Sequence, residues 1–142
     1  MTMQNRLPAA TTWHYLATID VNEGRLREAQ SKFRMALSIQ QELGDVEGEA
    51  NTFANLAALA TEIGRGEMAL RLYIISVLLM RDISHPNLPQ VERAANELAR
   101  DLDYGEREFT RLIDEVIEAY YMDRGWGIIE EAFANAFWST WE

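Results

Sequence analysis

The sequence predicts an all-α fold: a right-handed α-solenoid of helix-turn-helix units, about seven helices in all, ending in a capping helix. Two observations carry this. First, residues 12–43 and 52–83 are one helical unit written twice, 40 residues apart. Trp13 is answered by Phe53, Leu16 by Leu56, Ala17 by Ala57 and Ile19 by Leu59. Gly24-Arg25 returns as Gly64-Arg65, Ala29 as Ala69, Phe33 as Tyr73 and Leu37 as Val77. A fixed period with matched apolar, small and Gly positions marks units that bury a core only by stacking. Second, 142 residues that are 48% hydrophobic suffice for one domain with a real core, and their apolar spacing is helical throughout.

Helix one spans about Ala9 to Glu23, with Trp13, Leu16, Ala17 and Ile19 as its apolar set. Gly24 ends it by supplying a left-handed turn. Helix two begins near Leu26, carries Ala29, Phe33, Ala36, Leu37 and Leu43, and stops at Gly44. Asp45 then caps helix three, about Val46 to Ile63, whose inward residues are Phe53, Leu56, Ala57 and Ala60. Gly64 and Gly66 interrupt the chain before helix four, about Glu67 to Asp82, with Ala69, Leu72, Tyr73, Val77 and Met80 inward. Ile83 to Pro89 is the longest linker. Asn87 followed by Gln90 has the spacing of a capping box, with Pro89 in the first turn of helix five. That helix runs to about Asp103 with Val91, Ala94, Ala95, Leu98 and Leu102 inward. Helix six has an uninterrupted stripe of Phe109, Leu112, Ile113, Val116, Ile117, Tyr120 and Tyr121. After Arg124-Gly-Trp-Gly127, helix seven places Ile128, Ile129, Ala132, Phe133, Ala136 and Phe137 on one face. The chain thus divides into a first unit at 9–44, a second at 45–83, a degenerate third at 89–123 and a capping helix at 127–138, all in one domain.

The net charge of −10 argues against a nucleic-acid partner, because phosphate contacts need Lys and Arg in excess. With no cysteine there is no disulfide, thiolate metal site or Cys nucleophile, as expected of a cytoplasmic protein. The N-terminal residues lack a signal peptide's apolar segment, and the longest apolar run, Leu72 to Met80, falls short of the roughly 18 residues that span a membrane. No membrane association is expected. Catalysis is not expected either. His14 and His85 lie far apart and read as surface residues, and no nucleophile, base and orienting group assemble around them. Asp101-Leu-Asp103-Tyr-Gly105 resembles the start of a calcium loop, but its Gly comes one place early and Leu112 stands where the bidentate Glu belongs. Glu130-Glu131 and Asp114-Glu115 read as solvated helix faces. No metal and no cofactor are expected.

The repeated set resembles the tetratricopeptide repeat family: a large residue, then Leu and a small residue, a Gly in the turn, and Ala, an aromatic and a second small residue on the following helix. Unit one supplies Trp13, Leu16, Ala17, Gly24, Ala29, Phe33 and Ala36; unit two supplies Phe53, Leu56, Ala57, Gly64, Ala69, Tyr73 and Ser76. The usual repeat is about 34 residues. The spacing here is similar to an extended subgroup with a Leu-Gly-Asp turn, Leu43-Gly44-Asp45 in this chain. The resemblance implies protein or peptide binding in a concave groove lined by the first helix of each pair. It places Thr11, His14, Tyr15 and Thr18 there from unit one, Asn51, Ala54, Asn55 and Ala58 from unit two, and Arg93, Asn96, Glu97 and Arg100 from the shifted third. Asn55 offers both a donor and an acceptor to a peptide backbone, and Arg93 and Arg100 offer charge-assisted contacts to an acidic group. The Lys and Asn set that clamps a terminal carboxylate in chaperone-binding relatives is replaced by His14 and Thr18.

A second interface is expected at the aromatic C-terminus, where Trp126, Phe137, Trp138 and Trp141 exceed what one helix face can hide. It would make the chain a self-associating homo-oligomer or a regulatory subunit. A third reading is an acidic inhibitor that mimics nucleic acid.

Overall fold

The computed structural model describes the backbone of residues 3–137 and the side chains of 8–137. Seven helices and no strand occur among the described residues: α1 (Met3–Asn22), α2 (Leu26–Leu43), α3 (Val46–Glu62), α4 (Gly66–Asp82), α5 (Leu88–Asp101), α6 (Glu106–Asp123) and α7 (Trp126–Phe133). The fold is the all-helical repeat stack expected. α1 lies along α2, α3 along α4, and α2 joins the pairs by packing on α3.

Local chemistry sets the boundaries of the paired helices. Gly44 adopts φ 69° and ψ 27°, and its N–H reaches back to the Gln40 and Gln41 carbonyls. An L side chain rarely tolerates that conformation, so glycine ends the helix there. Asp45 accepts a hydrogen bond from the Gly48 N–H at 3.0 Å, capping α3. Ala29 and Ala69 are fully buried, which lets each pair approach closely, and Phe33, Phe53, Leu56 and Leu72 fill the space between.

Several expectations need correction. α1 starts at Met3 rather than Ala9, with Pro8 inside it. Leu16 and Ile19 face solvent, whereas Leu56 and Leu59 are buried. α3 has α2 of unit one packed on it as well as α4, whereas among the described residues α1 packs chiefly on α2. Asn87 makes no side-chain cap; its backbone N–H instead donates to His85 Nδ1 at 3.0 Å. That bond draws His85 inward, so this histidine is buried rather than on the surface, with Nε2 3.7 Å from Glu47 Oε1.

The segment 89–123 forms two helices, but not a third close hairpin. α5 lies on α4, its buried Ala95 and Ala99 presenting the small face that such contact needs. α6 then packs on α4 and α7 instead of returning along α5. α7 is shorter than the predicted 127–138. It ends at Phe133, Ala134 is extended and Asn135 takes φ 57°. Distant arginines hold the carbonyls beyond this end: Arg65 donates to the Ala134 carbonyl at 2.9 Å, and Arg27 to that of Phe137 at 2.9 Å. Ile128, Ile129 and Phe133 are buried as the apolar stripe requires, chiefly against α4, with α6 alongside.

Candidate functional site

Between α1 and α3 lies an open hollow lined by Thr18, Val21, Phe33, Asn55, Ala58, Leu59 and Glu62. The 40-residue period creates it. Thr18 and Ala58 occupy equivalent positions on their helices, and the small side chain at 58 leaves room. Phe33 is buried beneath, its ring 5.9 Å from that of His14 in an edge arrangement.

The polar groups of the hollow are few and defined. The Asn55 amide nitrogen lies 3.4 Å from His14 Nδ1, as donor to it. Partial burial lowers the His14 pKa, so the imidazole is neutral at pH 7 and offers Nδ1 as an acceptor. The Thr18 hydroxyl donates to the His14 carbonyl at 3.0 Å, which leaves its oxygen lone pairs for an incoming N–H. Glu62 supplies the one charged side chain of the lining.

The structure therefore brings together His14, Thr18 and Asn55. Asn51 stands one turn before Asn55 on α3 and is half-buried. Arg93, Asn96 and Arg100 are exposed on α5, and none lines this hollow. Asn96 instead borders a second depression walled by Ile74, Val77, Phe109 and Ile113 from α4 and α6. Among the described residues no group of three or more His, Cys, Asp and Glu side chains could hold a metal ion, and no helix is long and apolar enough to cross a membrane.

The C-terminal aromatics divide. Trp126 is engaged within the chain: its Nε1 donates to Gln41 Oε1 at 2.8 Å, and the Arg34 guanidinium sits 5.7 Å from its ring. Phe137 is half-buried beneath Arg27. Trp138 and Trp141 lie outside the described residues.

Sequence reasoning missed the polar seam that fixes this end of the molecule. Glu49 is almost fully buried on α3 and accepts from the Tyr120 hydroxyl at 2.5 Å and from Gln41 Nε2 at 3.1 Å. Gln41 Nε2 also donates to the Arg124 carbonyl at 3.0 Å. Burial first, and then the Glu49 carboxylate, push the Tyr120 hydroxyl up to about 12. Gly125, at φ 95°, is indispensable where this seam meets the core, because a Cβ there would stand 2.8 Å from the Phe53 ring. One signal was available. Glu49 falls four and seven residues before Phe53 and Leu56, on the helix face that is otherwise apolar.

Helix hairpins stacked by a fixed period, with an open hollow between the first helices of successive pairs, define a helical-repeat binding module. Residues 8–74 match the model of the tetratricopeptide repeat family, and over this segment the chain is a member of that family. The matched residues span all of unit one and most of unit two. No curated protein and no solved structure matches the chain.

Proposed function

We propose that this chain docks an extended segment of a protein partner in the hollow between α1 and α3. Tetratricopeptide repeats generally mediate protein–protein interactions and are typically non-enzymatic scaffolds. The observation that carries the finer reading is the convergence of Asn55, His14 and Thr18 at the edge of an apolar floor made by Val21, Phe33 and Leu59. The Asn55 amide pairs with a peptide group through donor and acceptor together, releasing its long contact to His14 as it does so. The floor takes an apolar side chain, and Glu62 at the rim favours a basic neighbour. Arg93 and Arg100 extend the surface only for a partner that continues past α4 onto α5.

The test has two stages. Affinity capture identifies a binding protein, and the interacting peptide is then titrated against variants. Asn55→Ala should lose about 1 kcal/mol, roughly a fivefold rise in Kd, with unchanged helix content. Unaltered affinity in both Asn55→Ala and Thr18→Val would place the binding site elsewhere.

A further inference from the structure

We infer that the exposed face of α1 pairs with the same face of a second copy, giving a two-fold dimer joined through α1. Thr12, Tyr15, Leu16 and Ile19 recur at the i, i+3, i+4, i+7 spacing of a helix-packing stripe, and all four are exposed. Tyr15 is 64%, Leu16 40% and Ile19 47% accessible. Helix α1 also buries its opposite side through Ala10, Ala17 and Asp20, so among the described residues it carries apolar side chains on two faces and only one is covered.

The repeat shows what this face requires. Forty residues on, the equivalents of Leu16 and Ile19 are Leu56 and Leu59, at 0% and 3% accessibility, on a helix that packs on α2 of the preceding unit as well as on α4. A helix seated on α1 completes the same contact.

Charge selects a second copy as the occupant. Two chains of net charge −10 repel each other over most of their surface. The charge is unevenly placed. Residues 9–44 contain four acidic and four basic side chains and are neutral, whereas residues 88–123 contain ten acidic and four basic. From Leu7 to Ile19 there is no charged residue at all, and Asp20 is buried in ion pairs with Arg25 and Lys32. Association through α1 therefore joins the neutral ends and holds the acidic α5–α6 regions apart. An isologous contact also needs a self-complementary surface, which an uncharged apolar stripe is.

Sedimentation equilibrium of the full chain at micromolar to tens of micromolar concentration tests this. The expected mass is twice the 16.3 kDa of the monomer. Leu16→Glu with Ile19→Glu would set four carboxylates across the two-fold axis and should return the mass to that of a monomer, with the helical circular dichroism preserved because both positions are exposed. Tyr121→Glu with Met122→Glu changes an equally prominent apolar pair on α6, both side chains being 82% accessible, and should leave the dimer intact. Should the α1 double variant unfold, the single Leu16→Glu change should still weaken self-association at least tenfold. A monomeric parent chain, a dimer that survives the α1 substitutions, or one that dissociates only on changing α6 would overturn the proposal.

Discussion

The first and second helix pairs are nearly the same object in two settings. Leu16 and Leu56 hold one position in the repeat, yet one faces water and the other lies in the core. Met35 and Ile75 differ in the same way, because α6 and α7 lie over the second pair. At position 20 of the chain the first pair buries an aspartate, neutralised by Lys32 and Arg25, where the second has Ala60. Residue type and spacing fix the hairpin; the neighbours on either side decide which of its faces become core. A repeat unit is therefore a conformation specified locally and a stability specified by context.

Paired substitutions put this contrast at risk. The largest effect is expected at Leu56. Leu56→Ala should cost about 2–5 kcal/mol in urea unfolding, as a large-to-small change in a closed core does. Leu16→Ala, measured at a concentration where the chain is monomeric, should stay within about 0.5 kcal/mol. Equal losses would mean that the two positions share an environment after all.

Next comes the seam in which Glu49 of the second pair meets Tyr120 of α6 and Gln41 of α2. Tyr120→Phe removes a donor to the buried Glu49 carboxylate and should cost about 1.5–3 kcal/mol. Because the folded Tyr120 hydroxyl titrates at about 12, above its ordinary value of about 10, its contribution is complete below pH 10 and is lost as pH rises through 12. The difference between parent and variant should therefore close over that interval in alkaline unfolding curves.

Ala29→Leu and Ala69→Leu address what the pairs share. Each alanine is buried between its own two helices, and each enlargement should cost about 1–3 kcal/mol through overpacking. Similar losses at both sites would confirm that the hairpin interior is common property; a loss at Ala69 alone would confine close packing to the second pair.

The smallest expected effect concerns Asp20. Its ion-paired hydrogen bonds to Lys32, and then to Arg25, hold the carboxyl below the usual range despite burial. A depressed folded value stabilises the chain above the unfolded carboxylate value of about 3.9, and the contribution disappears as pH falls through the folded value. Asp20→Asn should lower the thermal midpoint at neutral pH and converge with the parent in acid. A difference that persists at low pH would point to packing instead of charge.

The two repeated hairpins were legible because their signals are local. Gly24, Gly44 and Gly64 all adopt positive φ, and Asp45 caps as its type suggests, so the expected ends of α2, α3 and α4 fall within a residue of the observed ones. Legibility fails where long-range contacts take over. Near Phe133 only a weak sign of the end of α7 is local, Asn135 being a type that takes positive φ more readily than most; the rest is set by Arg65 and Arg27, which meet the carbonyls beyond it from other parts of the chain. The candidate site shows the same division. His14, Thr18 and Asn55 converge because the period sets α1 against α3, while Arg93 and Arg100 depended on a third hairpin whose packing the pattern does not encode. Leu16 has the spacing of a core residue yet is exposed, because spacing does not reveal which helix covers a given face.

The return of α7 onto α2 changes how this molecule comes apart. An open repeat array holds contacts only between neighbours, so it can fray from an end and begin folding at many points. Here Trp126 meets Gln41, Glu130 meets Arg34 and Phe137 meets Arg27, across separations of 85 to 110 residues. Such closures slow folding, because the entropy of a long loop is lost before the contact is made. They also leave Gln41, Arg34 and Arg27 of α2 without these partners until α7 and the turn after it are in place. The expected consequence is that α2 and α7 come apart together rather than in sequence.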